Sequence, residues 1–150
     1  MCEWTFDGNE DLIISYGDIV YNETVLNSIT NAKDEINVVV DKNWKEYWSA
    51  RMENPLIDAE TLKIDKNGKI KELGKKPNSY DEIEGQYIGL IKIRKDIVPQ
   101  IKEYYEKLDK NIMYDGKNFE NMYMTSFLQM IADNLYPLSP VYINNGWIEI

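Results

Sequence analysis

The chain has 150 residues, 43% hydrophobic and 12% aromatic, and no linker-like stretch divides it, so a single domain over 1–150 is expected. No run approaches the roughly 20 apolar residues of a membrane span, and residues 1–6 lack the basic start and apolar run of a signal peptide, which together predict a soluble cytoplasmic protein with no membrane partner. A formal net charge of −9, one cysteine (Cys2) and no histidine argue against nucleic-acid binding, an intramolecular disulfide, and zinc or histidine-based hydrolysis, and leave open a chemistry of carboxylates, lysines and magnesium.

Residues 11–16 form a short apolar run ending at Gly17-Asp18, which reads as a strand buried on both faces. Asn22 can cap a helix with Val25, Leu26 and Ile29 at helical spacing, and the run Ile36-Asn37-Val38-Val39-Val40 follows as a strand. A strand, helix, strand unit places its two strands parallel in one sheet and puts Gly17-Asp18 at the face where α/β proteins bind ligands. Trp44, Tyr47 and Trp48 predict a short helix closed by Asn54-Pro55. Segments 61–64 and 69–73 flank Asp65-Lys66-Asn67-Gly68, whose Asn-Gly pair supplies the positive φ angles of a tight hairpin. Residues 86–93 form another strand, with Gly89 leaving room for close approach by a backbone or ligand.

Asp96 is the expected cap of a helix reaching Leu108, followed by a polar loop through Asn118. A second amphipathic helix spans 122–134, with Met124, Phe127, Leu128 and Ile131 inward, and Pro137 and Pro140 stop it. Strands at 141–143 and 147–150 surround Asn144-Asn145-Gly146. Within this pattern Asp18 directly follows a buried strand, and Gly17 leaves space beside the backbone. A carboxylate so placed can hold magnesium against a phosphate, or it can simply cap the turn.

Taken in order, Ile13-Ile14-Ser15-Tyr16-Gly17-Asp18-Ile19-Val20-Tyr21, Gly74-Lys75-Lys76-Pro77, Glu84-Gly85-Gln86-Tyr87-Ile88-Gly89-Leu90 and Asn145-Gly146-Trp147-Ile148-Glu149-Ile150 resemble the nucleoside-triphosphate transferase family. The likeness is strongest to its phosphocholine cytidylyltransferase-like and sugar-1-phosphate nucleotidyltransferase members, and it covers the C-terminal portion of the family's domain. It implies a layered α/β/α fold of the nucleotide-diphospho-sugar transferase kind: a mixed, doubly wound sheet with a protruding hairpin, present as an incomplete domain. The implied reaction transfers a nucleoside monophosphate, CMP, from a nucleoside triphosphate to a phospho-alcohol or sugar 1-phosphate and releases pyrophosphate, with Mg2+ as cofactor.

By the same resemblance Asp18 is the metal ligand and Lys76 contacts a substrate phosphate. Gly17, Gly85, Gln86, Tyr87 and Gly89 line the substrate, although residues 85–90 also read as a plain core strand. Glu149 either points to the pocket or stands exposed on its strand. Trp44, Tyr47, Trp48 and Tyr87 suit either hydrophobic packing or an aromatic cage for a quaternary ammonium. The chain departs from the family in carrying Lys75 where many members have Glu, in having no Gly-rich loop before Asp18, and in ending where a second metal-binding Asp would follow. The edge left open at residues 11–16 would be covered by a second copy, as a homodimer. A non-catalytic assembly or binding module with the same fold is the competing reading.

Overall fold

The computed structural model describes residues 7–51 and 53–150; residues 1–6, including Cys2, residue 52, and the side chains of Tyr47 and Pro55 lie outside the described residues. In chain order the strands are β1 (Leu12–Ser15), β2 (Ile19–Tyr21), β3 (Ile36–Asp41), β4 (Leu62–Ile64), β5 (Ile70–Leu73), β6 (Gln86–Ile93), β7 (Met113–Tyr114), β8 (Lys117–Asn118), β9 (Leu138–Ile143) and β10 (Trp147–Glu149). The helices are α1 (Glu23–Asn31), α2 (Trp44–Arg51), α3 (Val98–Glu106) and α4 (Met124–Asn134).

Every residue of β3 and β6 is buried, as expected of strands covered on both faces. They lie at the middle of a six-stranded mixed sheet of order β1-β6-β3-β9-β5-β4. Since β1 and β3 are each antiparallel to β6, they run parallel to each other, with β6 between them. The pair β3–β9 is parallel. Side chains then alternate between two cores. Val38, Val40 and Ile91 face α3 and α4, where Ile101, Leu128 and Ile131 are buried. Val39, Ile88 and Leu90 face α1 through Val25 and Ile29. The result is the layered α/β/α fold.

Helix α1 starts where the sequence places it: the Asn22 side chain accepts a hydrogen bond from Val25 N at 3.0 Å. Leu26, however, is 40% exposed, so the inward stripe is Val25 and Ile29 alone. The helix ends on a buried cation. Lys92, on β6, donates to the carbonyls of Thr30 and Ala32 at 2.8 Å each and pairs with Asp11 at 3.1 Å. A positive charge at the negative end of a helix is favourable, and these partners offset its desolvation.

Several local expectations are corrected. Strand β1 is not buried on both faces: among the described residues it is an edge strand paired to β6 alone, with Ile13 38% exposed. The hairpin β4–β5 does not protrude. It extends the sheet through the pair Ile70↔Leu138 and buries Leu62, Ile70 and Leu73 in the main core. At its turn only Gly68 has positive φ (77°); Asn67 does not need one, because Asp65 closes the loop by accepting from Asn67 N and Lys69 N at 2.8 and 3.0 Å. Asp96 is drawn away from helix α3 by Arg94, which donates to both its oxygens at 2.6 and 2.9 Å. The loop before Asn118 contains the small antiparallel pair β7–β8, turned by Asp115 and Gly116 at φ 48° and 80°. Pro140 lies inside β9, where the pairing with β5 is confined to Leu138 and no ladder partner requires its missing N–H.

Candidate functional site

The strand ends that hold ligands in α/β sheets converge here on a cleft of about 240 Å³. Tyr16 enters it just beyond β1, and Gln86, Tyr87 and Ile88 form the start of β6. Trp48 comes from α2, Asp58 and Glu60 from the approach to β4, and Tyr123 and Thr125 from the head of α4. The remaining wall is Ile19 of β2 with Trp147 and Glu149 of β10. Those two strands pair antiparallel, with Glu149 opposite Ile19. The pairing carries the end of β10 back to Asp18, whose carbonyl accepts from Ile150 N at 2.8 Å.

The predicted site residues divide between the cleft and its margins. Gln86, Tyr87 and Glu149 line it. Asp18 is exposed at the turn between β1 and β2, beside the cleft residue Ile19. Its carboxylate is close enough to raise the Tyr16 phenol, which burial pushes up first. Gly17 is exposed in the same turn, with open space where a Cβ would stand. Lys76 is outside the lining, exposed and in no ion pair among the described residues. It follows the backbone bond from Thr61 N to Lys75 O at 2.8 Å, at the hairpin end from which Glu60 enters the cleft. Lys75 is engaged by Glu72 at 3.5 Å.

Gly85 and Gly89 do not line the cleft, and the space freed by each missing side chain is already filled. A Cβ on Gly85 would stand 2.3 Å from Val40 Cγ1, and one on Gly89 would stand 2.4 Å from the ring of Tyr16. Gly89 also has φ of 84°, in the left-handed region that favours glycine. It sits where β6 gains two residues over β3, between the pairs Val38↔Ile91 and Val40↔Tyr87. This bulge seats Tyr16 in the wall, edge-on to Tyr87 with ring centroids 5.7 Å apart. Trp44 packs with Trp48, Ala59 and Ile83 in a small separate core, and Trp48 reaches from that core to the cleft.

Polar groups in the cleft are unevenly satisfied. Asp41, fully buried at the end of β3, accepts from Asn43 N, Asn145 N and Trp147 Nε1 at 2.8, 3.1 and 2.8 Å, which fixes the Trp147 wall. Glu149 lies 3.7 Å from Arg51. Gln86 Nε2 donates to Tyr87 O at 3.0 Å, while its Oε1 and the Tyr87 hydroxyl are buried without a hydrogen-bond partner among the described residues. Burial raises the Tyr87 hydroxyl strongly, with Tyr16 beside it adding to the shift. Burial also pushes the Glu60 carboxyl above its ordinary range.

Among the described residues no three acidic, histidine or cysteine side chains converge as a metal cage. Magnesium commonly uses only one or two carboxylates and takes its other oxygens from water and phosphates, and the exposed Asp18 carboxylate has the donor chemistry for such a site. Asp58, Glu60, Tyr123 and Thr125 were not singled out in the sequence, because no spacing links a residue before β4 to one heading α4. Among the described residues no helix is long and apolar enough to cross a membrane.

The fold is shared with solved sugar-phosphate nucleotidyltransferases. An inositol-1-phosphate CTP transferase from T. maritima superposes with a TM-score of 0.64 at 17% identity, over 94% of this chain and 49% of that one. A protein from Bacillus anthracis described as a glucose-1-phosphate thymidylyltransferase gives 0.62 at 14% identity, over 95% and 50%. In sequence, the chain is 54% identical over 141 residues to the CTP:phosphoglutamine cytidylyltransferase of Campylobacter jejuni, covering 94% of this chain and 55% of that protein. The chain thus spans about half the length of the relatives it matches. No family model matches it.

Proposed function

We propose that this chain is the acceptor-binding portion of a cytidylyltransferase that moves CMP from CTP to a small phosphorylated acceptor and releases pyrophosphate. The observation that carries the reading is the cleft at the strand ends, with Asp18 next in the chain to its lining residue Ile19, in a chain 54% identical to a CTP:phosphoglutamine cytidylyltransferase. The acceptor is of the phosphoglutamine, phospho-alcohol or sugar 1-phosphate kind.

In the reaction an acceptor phosphate oxygen bonds to the α-phosphorus of the triphosphate as the bond to pyrophosphate breaks. Alignment and charge neutralisation are its main requirements, so the absence of histidine is no obstacle. Asp18 would hold magnesium, which supplies charge neutralisation at the phosphates when bound. Lys76 provides a mobile cation for substrate phosphate, Glu149 a second carboxylate on the Asp18 side, and Gln86 and Tyr87 the acceptor wall. Gly17 leaves room for the phosphates next to Asp18. The assignment of Gly85 and Gly89 to substrate gives way to packing, since Val40 and Tyr16 occupy their free space.

The same reading carries a cytoplasmic setting, no nucleic-acid partner, and a homodimer formed through the outer edge of β1, which no strand covers among the described residues. The test is pyrophosphate release from CTP and magnesium, by the chain alone and by the chain fused to the remaining part of the Campylobacter relative. Asp18→Ala in the active form is expected to lower turnover about a hundredfold or more. Undiminished turnover would remove Asp18 from the site, and no turnover in either form would leave the assembly or binding module as the function.

A further inference from the structure

Away from the cleft, a second hollow of about 340 Å³ opens where β2 ends and β10 begins, a volume in the range of small-molecule sites. It shares no lining residue with the cleft. Asn22, Thr24 and Ser28 reach it from the cap and first turns of α1, Tyr142 from the end of β9, and Asn144 and Asn145 from the loop before β10. No charged side chain is among its lining residues.

Donors and acceptors are both left over in this hollow. The side chains of Asn144 and Asn145 make no hydrogen bond among the described residues. Asn22 uses its Oδ1 on Val25 N at 3.0 Å and keeps its amide nitrogen, while Ser28 Oγ donates to Thr24 O at 2.9 Å and keeps its acceptor capacity. An amide presents a donor and an acceptor side by side, which matches a hydroxyl, itself both. A phosphate or carboxylate takes donors alone and favours a cation. The N-terminus of α1 does not serve in its place, since Asn22 already caps it and Glu23 occupies its first turn. A cation would find no carboxylate among the lining residues. Tyr142, 46% exposed, adds an aromatic face for C–H groups.

These groups are also held in place by the fold. The loop at 143–146 is tied on three sides: Asn22 N donates to Gly146 O at 2.9 Å, Lys42 N to Ile143 O at 2.9 Å, and Asn145 N to the buried Asp41 carboxylate at 3.1 Å. Lys42 Nζ stands 4.6 Å from the Tyr142 ring centroid and donates to Glu84 O at 3.0 Å, which steadies the ring. Binding groups fixed in advance lose less conformational entropy when a ligand arrives. We propose that this hollow is a second ligand site, for an uncharged sugar ring, separate from the cleft and independent of the nucleotidyl-transfer reading.

The test is an NMR titration of the nitrogen-15-labelled 150-residue chain with D-glucose and with D-galactose, following backbone and side-chain amides. At least one of the two sugars is expected to shift the amides of Asn22, Asn144 and Asn145 saturably, with a dissociation constant on the order of 1–10 mM, and inorganic phosphate to leave them in place. Ser28→Leu fills the hollow from α1, where Ser28 bonds its own helix, and should weaken binding at least about tenfold. Should that variant fail to fold, Asn144→Ala removes a side chain that bonds nothing in the protein and should weaken binding about threefold or more. No saturable shift with either sugar, shifts confined to the Gln86 side-chain amide in the cleft, an equal response to inorganic phosphate, or full affinity in either folded variant would overturn the proposal.

Discussion

Asp41 has no exposed surface, and its carboxylate gathers donors from Asn43, Asn145 and Trp147 that lie far apart in the chain. Removing it would take a buried acceptor away from two backbone N–H groups and the Trp147 indole N–H. Asp41→Ala is therefore expected to destabilise by about 3 kcal/mol, read as a drop of roughly 10 °C in melting temperature. A shift of a degree or two would mean that the loop at residues 143–147 re-forms its bonds elsewhere. Glu60 works in the opposite sense. Its folded carboxyl is raised above its ordinary value of 4.5 by burial, so the folded state holds this proton more tightly than the unfolded chain. The stability it contributes is complete below that ordinary value and is lost as pH rises through the raised one. Asp11 is lowered from 3.8, chiefly by the Lys95 backbone N–H, and its contribution is present above that value and lost as pH falls through the lower one. Urea unfolding between pH 4 and 8 should show Glu60→Gln more stable than the parent near neutrality, with the two converging in acid. A variant less stable than the parent at pH 7 would show that the carboxylate has a partner stabilising it.

At the level of elements, two glycines separate backbone requirement from crowding. Gly89 and Gly68 both have positive φ, 84° and 77°, yet a Cβ on Gly89 meets the Tyr16 ring while one on Gly68 meets nothing within 4 Å. Gly68→Ala is expected to cost about 1 kcal/mol, and Gly89→Ala about 2–4 kcal/mol because Tyr16 must leave the wall. Equal losses in thermal unfolding would mean that the ring moves aside freely. The same contrast shows what the sequence could disclose. The valine run of β3, the Asn22 cap and the Asn67-Gly68 hairpin are written in adjacent residues, and each forms where its pattern lies. The insertion of β6 between β1 and β3 is not local, so β1 reads as a buried strand although it is an edge. Asp96 reads as a cap, but Arg94 two residues earlier offers two charge-assisted bonds and takes it. In the cleft, the segments carrying Gln86, Tyr87 and Glu149 are recognisable from family resemblance. Glu60, alone before a hairpin, has no pattern to mark it, because its neighbours Tyr16, Tyr87 and Thr125 reach it only through the fold.

At the scale of the whole molecule, the outer edge of β1 presents Ile13, 38% exposed, with Tyr16 36% exposed just beyond the strand. Unpaired strand edges with apolar side chains favour association, and light scattering across a dilution series is expected to show a dimer that Ile13→Lys dissociates. Leu12 is a poorer probe, since at 8% exposure it belongs to the core and a lysine there would test folding. A monomer at every concentration would end the dimer assignment. The sheet order also governs how the chain emerges from the ribosome. Strand β3 needs β6 on one side and β9 on the other, and its register with β9 begins at Ile36↔Leu138. At translation speeds of roughly 5–20 residues per second, the hundred or so residues between them imply about 5–20 s in which Val38, Val39 and Val40 are made but not enclosed. Those three valines are the segment a chaperone that captures extended apolar chain would hold, releasing it only when residues 138–143 arrive to close the sheet.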